Sequence, residues 1–234
     1  MAELIVPLDQ PGIDDALRLV DELGDGVDFY KVGLELFTRA GPEVVRLLKE
    51  RGRKVFLDLK LLDIPNTVAG AVRAAAALEV DLLTVHATGG TAMLEAAAQA
   101  SAGRVRLLAV TVLTSFSSDE LAEVWSRPVD DVAAEVERLG ALARRCGIDG
   151  LVSSAHEVAA LRAALGPEAI LVTPGIRLAG GAAHDQTRIA TPERAVRDGA
   201  DHLVVGRAIT AAADRREALR QVRASMRAGA GAAE

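Results

Sequence analysis

The sequence predicts an α/β protein built as a single-domain (β/α)8 TIM barrel. Short apolar runs rich in β-branched residues alternate along the whole chain with longer alanine- and leucine-rich segments of helical spacing. The apolar runs are hydrophobic almost throughout, which is typical of parallel strands covered by helices. Eight such units share the 234 residues, which is close to the proportions of a barrel of about 250 residues.

Each predicted strand is a short apolar run that ends where polar residues resume. In chain order these runs are Leu4–Leu8, Phe29–Val32, Val55–Leu59, Leu82–Val85, Leu107–Val112, Gly150–Val152, Ile170–Val172 and His202–Val205.

The segments between the strands repeat their apolar residues at helical spacing. Val44, Leu47 and Leu48, for example, are at positions i, i+3 and i+4, so one face of that helix is apolar. Helices of this kind are predicted over Asp14–Leu23, Pro42–Arg51, Val68–Leu78, Asp130–Arg145 and His156–Leu165.

No linker or break in composition divides the chain, so residues 1–227 are predicted to form one barrel domain. The Gly/Ala-rich residues 228–234 are expected to be a flexible tail. A doubly wound open sheet is the alternative, but no Gly-x-Gly-x-x-Gly follows the first strand. Pro7 lacks a backbone N–H, so a local irregularity is expected in that strand.

Composition limits the classes of function. A net charge of −6 argues against a broad nucleic-acid surface or binding to an anionic membrane. No apolar run approaches the roughly 20 residues of a membrane span, and the first ten residues do not resemble a secretory signal. The single cysteine, Cys146, excludes an internal disulfide and a cysteine-based zinc site. A cytoplasmic protein is therefore expected.

In a barrel of this kind the chemistry takes place at the carboxyl ends of the strands. Charged residues follow the first, second, third and eighth runs. The chain has only four lysines among its 27 basic residues, and two of them, Lys31 and Lys60, stand at strand ends. Since lysine can release its proton near neutral pH and arginine cannot, these two lysines are candidates for proton transfer. The residues at the strand ends are Asp9, Lys31, Asp58 with Lys60, His86, Thr114, Ser153, Pro174–Gly175 and Gly206–Arg207.

The densest group of charges follows the third strand. Asp58 and Lys60 are two residues apart, so in an extended strand their side chains point to the same side. Asp63 comes after a short loop, and Pro65 is placed to begin the next helix. A simple ion pair is one interpretation. The other is that the carboxylates keep Lys60 protonated while it faces a reacting atom.

The segment Asp-x-Lys-x-x-Asp-Ile-Pro-Asn-Thr, residues 58–67, closely resembles the signature of the orotidine-5′-phosphate decarboxylase family, whose members make UMP in pyrimidine synthesis. Further segments resemble that family in the same order, across nearly the whole chain: Leu8–Asp9, Lys31–Gly33, Val85–Ala87, Val112–Ser115, Val172–Arg177, Asp185–Gln186 and Val205–Arg207.

The resemblance implies a homodimer with two active sites at the subunit interface, acting on orotidine 5′-phosphate without metal or cofactor. Asp58 would lie against the substrate carboxylate, and Lys60 would protonate carbon 6 of the pyrimidine as carbon dioxide leaves. Asp63 would reach in from the other subunit. Asp9 and Lys31 would hold the ribose hydroxyls and extend the charged array.

The remaining implied contacts concern substrate binding. Ile64 and Thr67 would arrive from the other subunit, Thr114 would contact the amide edge of the pyrimidine, and Pro174 would form an apolar wall beside the ring. The implied phosphate site consists of Gly206 and Arg207 after the eighth strand, Arg177 at the base of a closing loop, and Gln186 bridging phosphate and base.

Two alternatives remain open from the residues. One is a metal-using sugar-phosphate decarboxylase or aldolase on a similar barrel, although the Ile-Pro-Asn-Thr continuation, residues 64–67, argues against it. The other is a noncatalytic nucleotide-binding barrel, which the retention of both Lys31 and Lys60 in an arginine-rich chain makes less favoured.

Overall fold

The computed structural model describes residues 2–178 and 190–231, and in it the strands close into a parallel barrel in the order β1 to β8. The predicted fold class is therefore confirmed. The strands are β1 Glu3–Pro7, β2 Phe29–Gly33, β3 Lys54–Leu61, β4 Leu82–His86, β5 Arg106–Val110, β6 Gly150–Val152, β7 Ile170–Thr173 and β8 His202–Val204.

Helices cover the outside of the barrel. Within the described ranges they are α1 Ile13–Leu23, α2 Leu34–Ala40, α3 Glu43–Glu50, α4 Pro65–Ala77, α5 Gly90–Ser101, α6 Ser118–Trp125, α7 Val132–Arg145, α8 Val158–Leu165, α9 Pro192–Arg197, α10 Arg207–Thr210 and α11 Arg215–Gly231.

The core has two layers because strand side chains alternate in direction. Residues such as Ile5, Phe56 and Leu108 fill the inside of the barrel. Their chain neighbours, such as Val6 and Leu57, pack outward against the helices. The barrel is thus a filled core, and polar groups converge at its rims.

At the amino-terminal rim, an aspartate stands directly before each of β4, β6 and β8. Its carboxylate accepts a hydrogen bond from a backbone N–H of the preceding strand and pairs with a basic side chain. We call Asp81, Asp149 and Asp201 the aspartate clamps. Their Oδ2 atoms accept from Val55 N at 2.7 Å, Leu107 N at 2.8 Å and Leu171 N at 2.7 Å, and they pair with Lys49, Arg106 and Arg162 respectively.

The carboxyl-terminal segment differs from the expectation of a flexible tail. Helix α11 continues through Gly231, so residues 228–231 are helical, while residues 232–234 lie outside the described part. A Cβ added at Gly229 would lie 2.3 Å from the Glu193 carbonyl oxygen. The glycine content that suggested flexibility therefore allows α11 to pack closely against α9.

Pro7 is the last residue of β1 and stays in register with Lys31. The expected irregularity is absent at this described position because the missing donor falls where the strand ends, and Leu8 N resumes pairing with the Lys31 carbonyl at 2.8 Å.

Candidate active site

Strand β3 carries a bulge where the sequence predicts a regular strand end. Leu57 pairs with Leu83 and Leu61 pairs with Val85, so four steps along β3 match two along β4. Within the bulge, Lys60 has a φ of +50°, in the left-handed region that non-glycine residues rarely adopt. The prediction that Asp58 and Lys60 meet along an extended strand was therefore wrong in its backbone geometry, although the two side chains do meet.

The Asp58 carboxylate is the centre of the charged group. Lys60 Nζ lies 2.9 Å from Asp58 Oδ1 and 2.8 Å from Oδ2. Lys31 Nζ lies 3.6 Å from Asp58 Oδ2 and 3.3 Å from Asp9 Oδ1, so it bridges two carboxylates. Asp58 is only 9% exposed, so its contacts with the two lysines are poorly screened by water, whereas the Asp9 side chain in the Lys31–Asp9 pair is 64% exposed. The structure therefore brings Asp9, Lys31, Asp58 and Lys60 together at the carboxyl-terminal rim.

Thr84 is a member of this group that sequence reasoning missed. Its hydroxyl donates to Asp58 Oδ1 at 3.0 Å and accepts from the backbone N–H of Lys60 at 2.8 Å. The residue is fully buried on β4. A polar residue inside the apolar run Leu82–Val85 was the signal that could have identified it.

Gly33, at the end of β2, leaves the space that the Lys31 side chain occupies. A Cβ at Gly33 would lie 2.8 Å from Lys31 Nζ and 3.5 Å from Asp9 Oδ1. Its φ of −95° is open to any residue, so the need for glycine here is steric.

His86 ends β4 at the same rim. Burial, together with the positive charge of Lys60, lowers the pKa of its imidazole. Its Nδ1 lies 2.7 Å from the Thr88 hydroxyl. A neutral imidazole is therefore favoured beside the lysine.

Asp63, Ile64 and Thr67 lie on an exposed segment between β3 and the first turn of α4. Asp63 Oδ1 accepts from Ile64 N at 2.6 Å, and Asp63 has no ion pair with any described residue. Ile64 is 67% exposed and its neighbour Leu62 is 55% exposed. The same segment thus carries two exposed apolar side chains and a carboxylate that has no ion pair within residues 2–178 and 190–231.

The other predicted binding residues follow β5, β7 and β8. Thr114 and Pro174 are half-buried in the connections after β5 and β7. Gly206 precedes α10, and Arg207 is exposed at its first residue. Arg177 is buried, and its Nη1 donates to the Ile176 carbonyl at 2.9 Å. Gln186 and the glycines of the predicted closing loop lie outside the described residues.

Across residues 2–178 and 190–231, no three His, Cys, Asp or Glu side chains are grouped so that they could hold a metal ion. None of the helices in those ranges is long and apolar enough to cross a bilayer.

The residues of this rim lie within a segment that matches a known protein family. The model of the orotidine 5′-phosphate decarboxylase / HUMPS family matches residues 2–222. The chain belongs to this family. The family membership covers the charged rim and all eight strands.

Curated and solved relatives agree with this assignment. The orotidine 5′-phosphate decarboxylase of Moorella thermoacetica is 49% identical over 96% of this chain and 92% of its own length. That of Halorhodospira halophila is 53% identical over 90% of each. The crystal structure of the Lactobacillus acidophilus enzyme of this name superposes with a TM-score of 0.86 at 36% identity, covering 97% of this chain and 99% of that one. The family member described here is therefore similar to carboxy-lyases over nearly its whole length.

Proposed function

We propose that this protein decarboxylates orotidine 5′-phosphate to UMP in pyrimidine synthesis, without a metal or organic cofactor, and that Lys60 supplies the proton. The observation that carries the proposal is the Asp58–Lys60 pair, with Lys60 Nζ at 2.8 and 2.9 Å from the buried Asp58 carboxylate and Lys31 Nζ beside it. The substrate is supported by similarity to relatives named orotidine 5′-phosphate decarboxylase, such as the Moorella thermoacetica protein at 49% identity.

In the reaction, the bond between carbon 6 and the carboxylate carbon breaks, and its electron pair stays on carbon 6 as carbon dioxide leaves. An N–H of the Lys60 ammonium then gives its proton to carbon 6, which leaves a neutral amine. Asp58 lies against the substrate carboxylate and keeps the ammonium in place before the reaction. The fixed charges need no reorganisation as the carbanion develops, which is the main source of electrostatic catalysis.

One lysine–carboxylate contact is too small a source for the whole rate enhancement. Enzymes lower such barriers by about 8 to 23 kcal/mol. Binding of the phosphate and ribose, remote from the reacting carbon, supplies the remainder by positioning the ring and closing the site. Asp9 and Lys31 hold the ribose, and Gly206 and Arg207 hold the phosphate.

The other binding roles follow the resemblance. Thr114 contacts the amide edge of the pyrimidine, and Pro174 forms the wall beside the ring. Arg177 and Gln186 flank the loop that closes over the phosphate.

We also propose that two copies of the chain share their active sites. Asp63 has no ion pair in the described ranges of its own chain, and it lies between the exposed side chains of Leu62 and Ile64. Apolar exposure of this kind marks an interaction surface. In the dimer, Asp63, Ile64 and Thr67 of one subunit complete the site around Lys60 of the other.

The first test is the loss of orotidine 5′-phosphate absorbance on addition of the purified protein, with and without a chelator. Turnover in both conditions is expected. Turnover lost on chelation would favour a metal-using enzyme, and UMP affinity without turnover would favour a noncatalytic binding barrel. The Lys60→Ala protein should fold and dimerise with near-complete loss of activity, whereas substantial activity would reject Lys60 as the proton source.

The shared site is tested by mixing two inactive proteins. Heterodimers of an Asp63→Asn subunit and a Lys60→Ala subunit each contain one intact composite site, so activity should return. Verified heterodimers that stay inactive would contradict the shared site. A cytoplasmic location stays a prediction.

A further inference from the structure

The direction of the hydrogen bonds around Thr84 is fixed by chemistry. The backbone nitrogen of Lys60 has one hydrogen and acts only as a donor, so the Thr84 oxygen accepts it. The Thr84 hydroxyl has one hydrogen of its own, which it donates to Asp58 Oδ1 at 3.0 Å. Two hydrogen bonds therefore run in series, from the Lys60 amide to the Thr84 hydroxyl and from that hydroxyl to the Asp58 carboxylate.

These two hydrogen bonds connect two residues within the bulge of β3, Asp58 and Lys60. Asp58 precedes the left-handed residue, and Lys60 is the left-handed residue itself. Strained backbone of this kind persists when its surroundings hold it. Thr84 is fully buried on the neighbouring strand, so it contacts both residues from a fixed position.

We infer that Thr84 is a positioning residue that sets the place of the Lys60 ammonium relative to the Asp58 carboxylate. This inference rests on the proposed function. Thr84 acts through the backbone of one residue and the carboxylate of the other, and it has no role in binding the ribose or the phosphate. Losing its hydroxyl should therefore lower kcat and leave KM nearly unchanged, since a misplacement of about 1 Å can cost about 100-fold in rate.

The test compares Thr84→Val, which keeps the shape and removes both hydrogen bonds, with Thr84→Ser, which keeps the hydroxyl. Thr111→Val is the matched control because Thr111 is also buried, and its hydroxyl has no hydrogen-bond partner in the described part of the chain. Steady-state decarboxylation per folded active site, affinity for UMP and the thermal midpoint are measured for each protein. If Thr84→Val does not fold, Thr84→Ala replaces it.

We expect kcat to fall by about 10- to 100-fold in Thr84→Val, with KM and UMP affinity within about threefold of wild type. Thr84→Ser should recover most of kcat, and Thr111→Val should keep it. A kcat within twofold of wild type in Thr84→Val, or a Thr84→Ser protein as slow as Thr84→Val, would overturn the positioning role alone. A wild-type protein that binds UMP but does not decarboxylate would instead refute the proposed function, and this inference with it.

Discussion

Substitution of Gly33 by alanine tests whether Lys31 must occupy its observed position. The new Cβ would lie 2.8 Å from Lys31 Nζ, where an ordinary contact is at least 3.4 Å. The lysine end must therefore move by roughly 0.6 Å, since close packing leaves no room for overlap. Its contacts to Asp9 and Asp58, at 3.3 and 3.6 Å, are already long and would be lost or exchanged for others.

From this displacement we expect kcat/KM for orotidine 5′-phosphate to fall by about 10- to 100-fold, equivalent to about 1.4 to 2.8 kcal/mol of transition-state stabilisation. The free energy of unfolding should change by less than about 1 kcal/mol, because the clash involves the flexible end of a side chain and the φ of Gly33 suits alanine.

Steady-state kinetics and urea unfolding of Gly33→Ala are compared with those of Gly12→Ala. Gly12 directly precedes α1 as Gly33 precedes α2, and a Cβ at Gly12 would meet no atom within 4 Å. Gly12→Ala should stay within twofold of wild type. Wild-type kcat/KM in Gly33→Ala would show that the position of Lys31 does not limit catalysis, and an equal loss in both proteins would refute the steric argument.

Two further predictions concern stability. Arg162, only 22% exposed, donates to the Gly166, Pro167, Ala169 and Gly199 carbonyls and to Asp201. Arg162→Ala should therefore cost about 3 kcal/mol and lower Tm by about 6 to 12 °C. Arg106→Ala removes a 64% exposed partner of Asp149 and should cost less than about 1 kcal/mol. Thermal unfolding compares the two variants, and an equal loss of stability in both would contradict the role of burial. Burial lowers the pKa of His202, and Lys54 adds to this against the opposing charges of Glu3 and Asp201. The folded state thus favours neutral imidazole, so this contribution is complete above the unfolded pKa of about 6.5 and is lost as pH falls below it. Urea unfolding at pH 7.5 and 5.5 should show a larger loss for wild type than for His202→Gln, and parallel losses would exclude His202 as the source.

The barrel could be predicted from sequence because its signal is repeated eight times. Every predicted strand overlaps an observed strand. The alternation of apolar runs and helical segments does not depend on any single residue. Boundaries moved by one or two residues, and β3 extends to Leu61 because its bulge continues the pairing with β4.

The charged rim could be predicted in part. Asp9, Lys31, Asp58 and Lys60 were identified because parallel strands bring their carboxyl ends to one rim. The left-handed backbone at Lys60 could not be predicted, since lysine has no intrinsic preference for it. The hydroxyl that accepts a hydrogen bond from the Lys60 amide belongs to Thr84, which is 24 residues away in sequence. The steric need for glycine at position 33 could not be predicted either, because it depends on the position of the Lys31 ammonium in the folded protein.

The aspartate clamps lie at the opposite rim of the barrel from the residues proposed for catalysis. They fasten neighbouring strands at one rim, whereas like and unlike charges crowd together and the backbone is distorted at the opposite rim. A trade-off between thermal stability and catalytic activity is common when both depend on the same contacts. Here the two groups of contacts are at opposite ends of the strands. We therefore expect substitutions that strengthen the amino-terminal rim to raise Tm with little effect on kcat.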